Sequence, residues 1–193
     1  MIKAIIFDLG GVVLNNGVYE AYRKFKNVRF KEIFEKKYLI PMEKGEIGET
    51  SLWQRLTYDL GEKLSTTLLK KYIFNNFYPI DNNIFLIKRL RRKYKVGLLT
   101  NNLVEWYTRL DSQFRLEEKF DTIIVSAEVG MRKPDEGIYC LAAQRLKVTE
   151  KECIFIDDKK ENIKGAEEVG MKGIFYKQGD NLTLKLEKMG VKI

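Results

Sequence analysis

The chain has 193 residues, 45% hydrophobic and 32% charged, which suits one globular domain or one domain with a modest insertion. It contains no histidine, which excludes Ser-His-Asp and Cys-His catalysis, imidazole-built zinc sites and histidine general bases. The net charge of +8 fits anionic partners or a lysine-rich surface, no apolar run approaches the roughly 20 residues of a membrane span, and the start MIKAIIFDLGG does not read as a signal peptide, so a cytoplasmic protein with no membrane partner is expected.

The first predicted strand is the apolar, β-branched run Ile2 to Phe7, which ends at Asp8 and the pair Gly10-Gly11. Residues 15 to 80 then read as mostly helical, with a turn at Lys44-Gly45-Glu46. They hold 12 of the 23 aromatic residues and carry 12 basic against 8 acidic side chains. Such a segment suggests a small basic cap over the sheet edge, its aromatics building mainly a core of its own. The basic run Lys88 to Lys93, with Phe85, Leu86 and Leu90 at helical spacing, reads as the solvated face of a helix, so no nucleic-acid partner is expected.

Further strands follow at Val96 to Leu99, Thr122 to Val125, Cys153 to Ile156 and Gly173 to Tyr176. Amphipathic helices over Val104 to Arg115, Glu136 to Leu146 and Glu161 to Val169 alternate with them, the last stopped by Gly170. Short apolar strands alternating with helices predict a parallel sheet covered on both faces. Cys140 and Cys153 form no ligand cluster and both read as buried structural thiols.

Ligands of parallel α/β sheets bind outside the carboxyl ends of the strands. There the sequence places Asp8, then Thr100 and Asn101, then Asp157 and Asp158, with Lys133 in the loop after the third strand. Three gathered carboxylates repel one another unless a cation lies among them. Hard oxygen ligands without sulfur or imidazole suit Mg²⁺. Gly10 and Gly11 let backbone N–H groups approach a phosphate, Thr100, Asn101 and Lys133 would bind its oxygens, and an aspartate can attack phosphorus to form an aspartyl-phosphate.

The segments FDLGGVV (7–13), LLTNN (98–102), GMRKPDEGIY (130–139) and FIDDKKENIKGA (155–166) resemble, in order, the four motifs of the haloacid dehalogenase (HAD) superfamily. Within it the chain looks similar to the branch holding the phosphatase domain of soluble epoxide hydrolase and bacterial sugar-phosphate phosphatases. The resemblance implies an α/β fold: a Rossmann-like, doubly wound parallel sheet formed by residues 1–14 and 81–193, with a helical cap, 15–80, inserted after the first strand.

It also implies roles. Asp8 would be nucleophile and metal ligand, the Gly10 carbonyl a second ligand and Asp158 a third, with Asp157 ligating or orienting water. Leu9, Gly10, Thr100 and Asn101 would hold the phosphate. Lys133 would stabilise charge on Asp8 and the phosphoryl group, and Asn162 would support the fourth motif. The implied activity is Mg²⁺-dependent hydrolysis of a small phosphate monoester, a sugar phosphate or similar metabolite.

One position departs from the pattern. Most phosphatases of the superfamily carry an aspartate two residues after the nucleophile, as acid for the leaving group and then base for water; here it is Gly10. General acid–base help is worth about 10²–10⁴-fold. Glu46 and Glu49 in the cap turn are candidate substitutes. The alternatives are a dehalogenase-type C–X hydrolase, against which the Asp157-Asp158 pair argues, and a phosphate-binding protein weakened in turnover by Gly10. Tyr19, Tyr22, Phe25 and Trp53 are the cap side chains from which substrate specificity could come. Nothing in the sequence sets the oligomeric state.

Overall fold

A computed structural model describes residues 1–26, 29–61 and 64–193. Its sheet is built from β1 (Ala4–Phe7), β2 (Lys95–Thr100), β3 (Thr122–Val125), β4 (Cys153–Asp157) and β5 (Lys172–Phe175), all parallel, in the order β3-β2-β1-β4-β5. Each expected strand is present, β3 with the expected bounds and the others shifted by a residue or two at their ends. β1 is central, with Phe7 opposite both Leu98 and Ile156 in register, so the residues following β1, β2 and β4 emerge side by side. A backbone bond from Asp8 N–H to the Ile156 carbonyl, at 2.8 Å, continues that ladder to the nucleophile candidate itself.

Between β1 and β2 lie α1 (Gly17–Lys24), α2 (Phe30–Ile33), a π-helical stretch Phe34–Tyr38, α3 (Leu39–Glu43), α4 (Glu49–Leu60), α5 (Thr66–Asn75) and α6 (Asp81–Leu90). The helical segment expected over 15–80 includes positions 27–28 and 62–63, which lie outside the described residues. α7 (Val104–Phe114), α8 (Ser126–Val129), α9 (Glu136–Arg145), α10 (Lys160–Glu168) and α11 (Leu182–Lys188) complete the chain. No described helix is long and apolar enough to cross a membrane.

Alternation along β1 explains why both sheet faces are covered. Ala4 and Ile6 join Leu99, Phe155, Ile138, Tyr139, Ala142 and Ala166, so α9 and α10 pack on one face. Ile5 and Phe7 join the other, larger core, which runs through Leu86, Trp106 and Leu186 into Phe30, Phe34, Leu52, Leu56, Leu69 and Ile73 of the insertion. The insertion's apolar residues therefore share a core with the sheet, whereas the sequence led us to expect a small core of the insertion's own. Trp53 stacks on Trp106 with centroids 5.8 Å apart, and Phe74 meets Trp106 edge-on at 5.3 Å.

The chain enters and leaves the insertion through one laced junction. Asn15 donates through Nδ2 to the Asn76 carbonyl (2.6 Å) and accepts from Tyr78 N–H (2.6 Å), while Asn83 Nδ2 donates to the Val12 carbonyl (2.7 Å). Asn15 and Asn83 are both buried, so these bonds are made out of reach of water, where an unmade one is costly.

One reading of exposure needs correction. Cys153 is buried, but Cys140 is exposed, because it sits on the outward side of α9 opposite Tyr139 and Ala142. Phe85 is also exposed, while Leu86, Ile87 and Leu90 carry the contact of α6 with the sheet. The charged side chains of the run Lys88 to Lys93 do face solvent, as expected.

Candidate active site

Asp8 follows the last residue of β1, Thr100 ends β2, Asp157 ends β4 and Asp158 follows it. Lys133 reaches the same mouth from the loop between α8 and α9. It is 1% exposed, and its ammonium donates to Asp8 Oδ1 (2.6 Å), Asp157 Oδ2 (2.7 Å) and the Leu99 carbonyl (2.9 Å). All three of its N–H bonds are thus used.

Asp8, Asp157 and Asp158 each offer an oxygen within 4.8 Å of the others. Three carboxylates and one ammonium would leave the cluster two negative charges in excess, and moving even one ion out of water costs several kcal/mol. Burial first, and then the neighbouring Asp157 and Asp158, push the Asp8 carboxyl up to about 7 against the opposing pull of Lys133. Burial and Asp157 likewise lift Asp158 to about 6. Lys133 is held above the ordinary lysine range: burial works against its charge, but Asp157 and Asp8 outweigh it.

The residues fit a hard divalent cation. Asp158 Oδ1 is buried with no hydrogen-bond partner among the described residues, which is costly unless something electropositive lies against it. Asp157 is in the opposite position: its Oδ2 accepts from Lys133 and from Asn162 Nδ2 (3.0 Å), and its Oδ1 accepts from Lys159 N–H (2.7 Å). Asp158 is therefore the freer ligand and Asp157 the more engaged neighbour. Asn162 supports the fourth motif through that bond, as expected. Gly11, at φ +86°, lets the loop pass over Asp158, since a Cβ there would lie 2.4 Å from Asp158 Oδ2.

A pH dependence follows. Carboxylates raised from 3.8 to about 7 and about 6 bind protons in the folded state that the unfolded chain has released. Metal-free protein should lose stability as pH rises from about 4 through about 7. A divalent cation reverses the cost, so Mg²⁺ should raise Tm more at pH 7.5 than at pH 5, as thermal melts with and without EDTA would measure.

Thr100 and Asn101 stand beside this cluster, and with Asp8, Leu9, Gly10, Lys133 and Asp158 they line a cavity of about 110 Å³. Asn101's side chain is already engaged: Oδ1 accepts from Lys133 N–H (2.9 Å), and Nδ2 donates to the Lys133 carbonyl (3.0 Å) and to Glu43 Oε2 (3.3 Å).

From the insertion the cavity receives Asn16, Tyr19, Tyr22, Phe34, Glu35 and Glu43, while Trp106 and Lys159 reach it from the other side. Of the four candidate specificity residues, Tyr19 and Tyr22 line it. Phe25 packs instead on Tyr72 and Trp53 on Trp106. Neither candidate cap acid lines the cavity. Glu46 is exposed, and Glu49 is bound by Trp53 Nε1 (3.1 Å) and Lys70 (2.8 Å). The cap carboxylates at the cavity are Glu35 and the buried Glu43, which carried no motif or periodic signal in the sequence. Gly10 leaves the second position after Asp8 without a side chain, and a Cβ there would meet Asn16 Nδ2 at 3.1 Å.

A parallel α/β sheet whose central strand ends carry a lysine-bound aspartate beside a carboxylate cluster has the position and donor set of a ligand-binding or catalytic site. The sequence profile of haloacid dehalogenase-like hydrolases matches residues 2–170, and the chain belongs to that family. It is 27% identical to flavin mononucleotide hydrolase 1 of Arabidopsis thaliana, over 98% of this chain and 78% of that one. To bifunctional epoxide hydrolase 2 of Sus scrofa it is also 27% identical, over 97% of this chain but only 39% of that protein's length. Among solved structures, a HAD family enzyme of Bacteroides thetaiotaomicron in complex with magnesium and inorganic phosphate superposes with a TM-score of 0.80 at 27% identity, covering 96% of this chain and 99% of that one.

Proposed function

We propose that the protein is a Mg²⁺-dependent phosphatase of small phosphate monoesters, acting through an aspartyl-phosphate on Asp8. The observation that carries this reading is the buried Asp8–Lys133–Asp157 ion cluster beside Asp158, whose Oδ1 has no partner among the described residues. The solved relative that binds magnesium and inorganic phosphate supports it. Asp8, Asp158 and the Gly10 carbonyl would hold the cation, which would neutralise phosphate charge and pull the carboxylates to their ionised forms.

Lys133 occupies Asp8 Oδ1, and no hydrogen bond from the described residues reaches the other oxygen. That oxygen attacks phosphorus, the bond from phosphorus to the alcohol oxygen breaks, and the leaving oxygen takes a proton. Water then attacks phosphorus, the bond to Asp8 breaks, and orthophosphate leaves with the carboxylate restored. Thr100 Oγ, the peptide N–H groups of Leu9, Gly10 and Asn101, and the Lys133 charge hold the phosphoryl oxygens. With its side chain spent on Lys133, Asn101 serves the phosphate through its backbone.

The cavity is small, and Tyr19, Tyr22, Asn16 and Glu43 ring it with hydrogen-bonding groups. A compact polyhydroxylated leaving group, as in a sugar phosphate, suits it better than a flat aromatic one. Asn16 accepts from Val18 and Tyr19 N–H as the cap of α1 and has no proton to give as an acid, so the side chain facing Gly10 supplies no general acid for the leaving group. At saturating substrate kcat should then depend steeply on leaving-group pKa, with para-nitrophenyl phosphate ahead of alkyl phosphates in kcat although its ring fits the cavity less well and raises KM. Gly10→Asp should raise alkyl phosphate turnover by up to about 10²-fold. A panel of phosphate esters assayed with Mg²⁺ and with EDTA tests the function: absence of Mg²⁺-dependent phosphate release, or metal-independent halide release from haloacids, would refute it.

A further inference from the structure

We infer that Glu43, at the end of α3, is a positioning residue that couples the seating of the helical insertion to the placement of Lys133. The geometry is a relay. Arg132 Nε donates to Glu43 Oε2 at 2.7 Å, and Asn101 Nδ2 donates to the same oxygen at 3.3 Å. Asn101 grips Lys133 by both its backbone N–H and its carbonyl, and Lys133 then reaches Asp8. One carboxylate oxygen of the insertion thus anchors the two residues that fix the backbone of the active-site lysine.

Burial makes the contact selective. The Glu43 side chain is 4% exposed and that of Arg132 15%, so the carboxylate is stable there only while both donors face it. If the insertion lifts, Glu43 leaves Arg132 and Asn101, and the loop around Lys133 loses its outer support. Gly45 makes the close seating possible: a Cβ at residue 45 would lie 2.5 Å from the Ala127 carbonyl, on α8 just before this loop. Glu43 also lines the cavity, so a substrate that fills it closes over the same contact. Seating the insertion and arming Lys133 are one event.

The inference rests on the phosphatase reading, and its test separates the two. Because a single oxygen takes both bonds, glutamine can reproduce them and alanine cannot. With para-nitrophenyl phosphate and Mg²⁺, Glu43→Ala should lower kcat at least about tenfold, with a smaller change in KM, while Glu43→Gln should recover most of that loss in kcat relative to Glu43→Ala. Arg132→Met should act through the same contact, so the double variant Glu43→Ala/Arg132→Met should be no slower than Glu43→Ala alone. Equal losses in the alanine and glutamine variants, multiplying losses in the double variant, or a lowered Tm with kcat unchanged would each overturn the relay. Should the unaltered protein release no phosphate, the functional reading falls and orthophosphate affinity judges the relay. It is read from the fluorescence of the stacked Trp53–Trp106 pair, and equal affinity in the unaltered and Glu43→Ala proteins would overturn the relay.

Discussion

Asp8→Asn should abolish phosphate release, by at least about 10³-fold in kcat, while leaving the fold intact. Asparagine matches the shape of aspartate but its amide does not attack phosphorus. Asp8 is held by position rather than by its own charge: it continues the β1 ladder through its N–H to the Ile156 carbonyl, with Phe7 packed into the larger core behind it. The asparagine Oδ1 can still accept from Lys133, and the cluster loses a carboxylate that burial and its neighbours strain towards protonation. Melts of the variant should show a Tm near that of the unaltered protein, and Mg²⁺ should stabilise it less, because one ligand is gone. A variant that keeps more than about a tenth of the activity would remove Asp8 from the nucleophile's role.

Lys133→Met carries the second large effect, and it separates stability from chemistry. The ammonium is the centre of the buried cluster, and losing it leaves Asp8, Asp157 and Asp158 facing one another without a fixed counter-charge. Breaking a buried ion pair by removing one partner costs about 3–5 kcal/mol. Metal-free Lys133→Met should therefore melt far below the unaltered protein at pH 7.5. It should regain part of the difference at pH 5, where the carboxylates take up protons, and part with Mg²⁺. Activity should stay lost in Mg²⁺, because charge at the cation site does not restore the bond by which Lys133 fixes Asp8 Oδ1. Equal melting of the two proteins without metal would show that the cluster is not held by Lys133.

The strands and the place of Asp8 at the sheet's open edge were legible in the sequence for the same reason. A strand buried on both faces must be a continuous apolar run, and a polar residue at its end marks the sheet's open edge. IKAIIF ending at Asp8 and CIFI ending at Asp157-Asp158 show this plainly. Lys133 was found through its motif. Glu43 was not, because its role depends on Arg132, 89 residues away, and on the fold of the insertion. In the sequence it is one more acid in a polar turn, with no better claim than Glu46 or Glu49. The aromatics show a similar limit: periodicity marked them as apolar, but not that Trp53 and Phe74 would pack onto Trp106 and join the insertion to the sheet's core. Cys140 failed for a third reason. It lies beside buried neighbours on a helix, and one residue's rotation, 100° in an α-helix, turns a side chain outward.

Covalent attack by Asp8 is the claim on which the account stands, and an acid-quenched single turnover tests it most directly. Enzyme in excess over labelled phosphate ester, with Mg²⁺, is quenched within one turnover, digested and read by mass spectrometry. A phosphoryl group on the peptide that contains Asp8, formed before free phosphate and absent in Asp8→Asn, is the expected result. Phosphate appearing with no labelled peptide, or with the label on another residue, would contradict it.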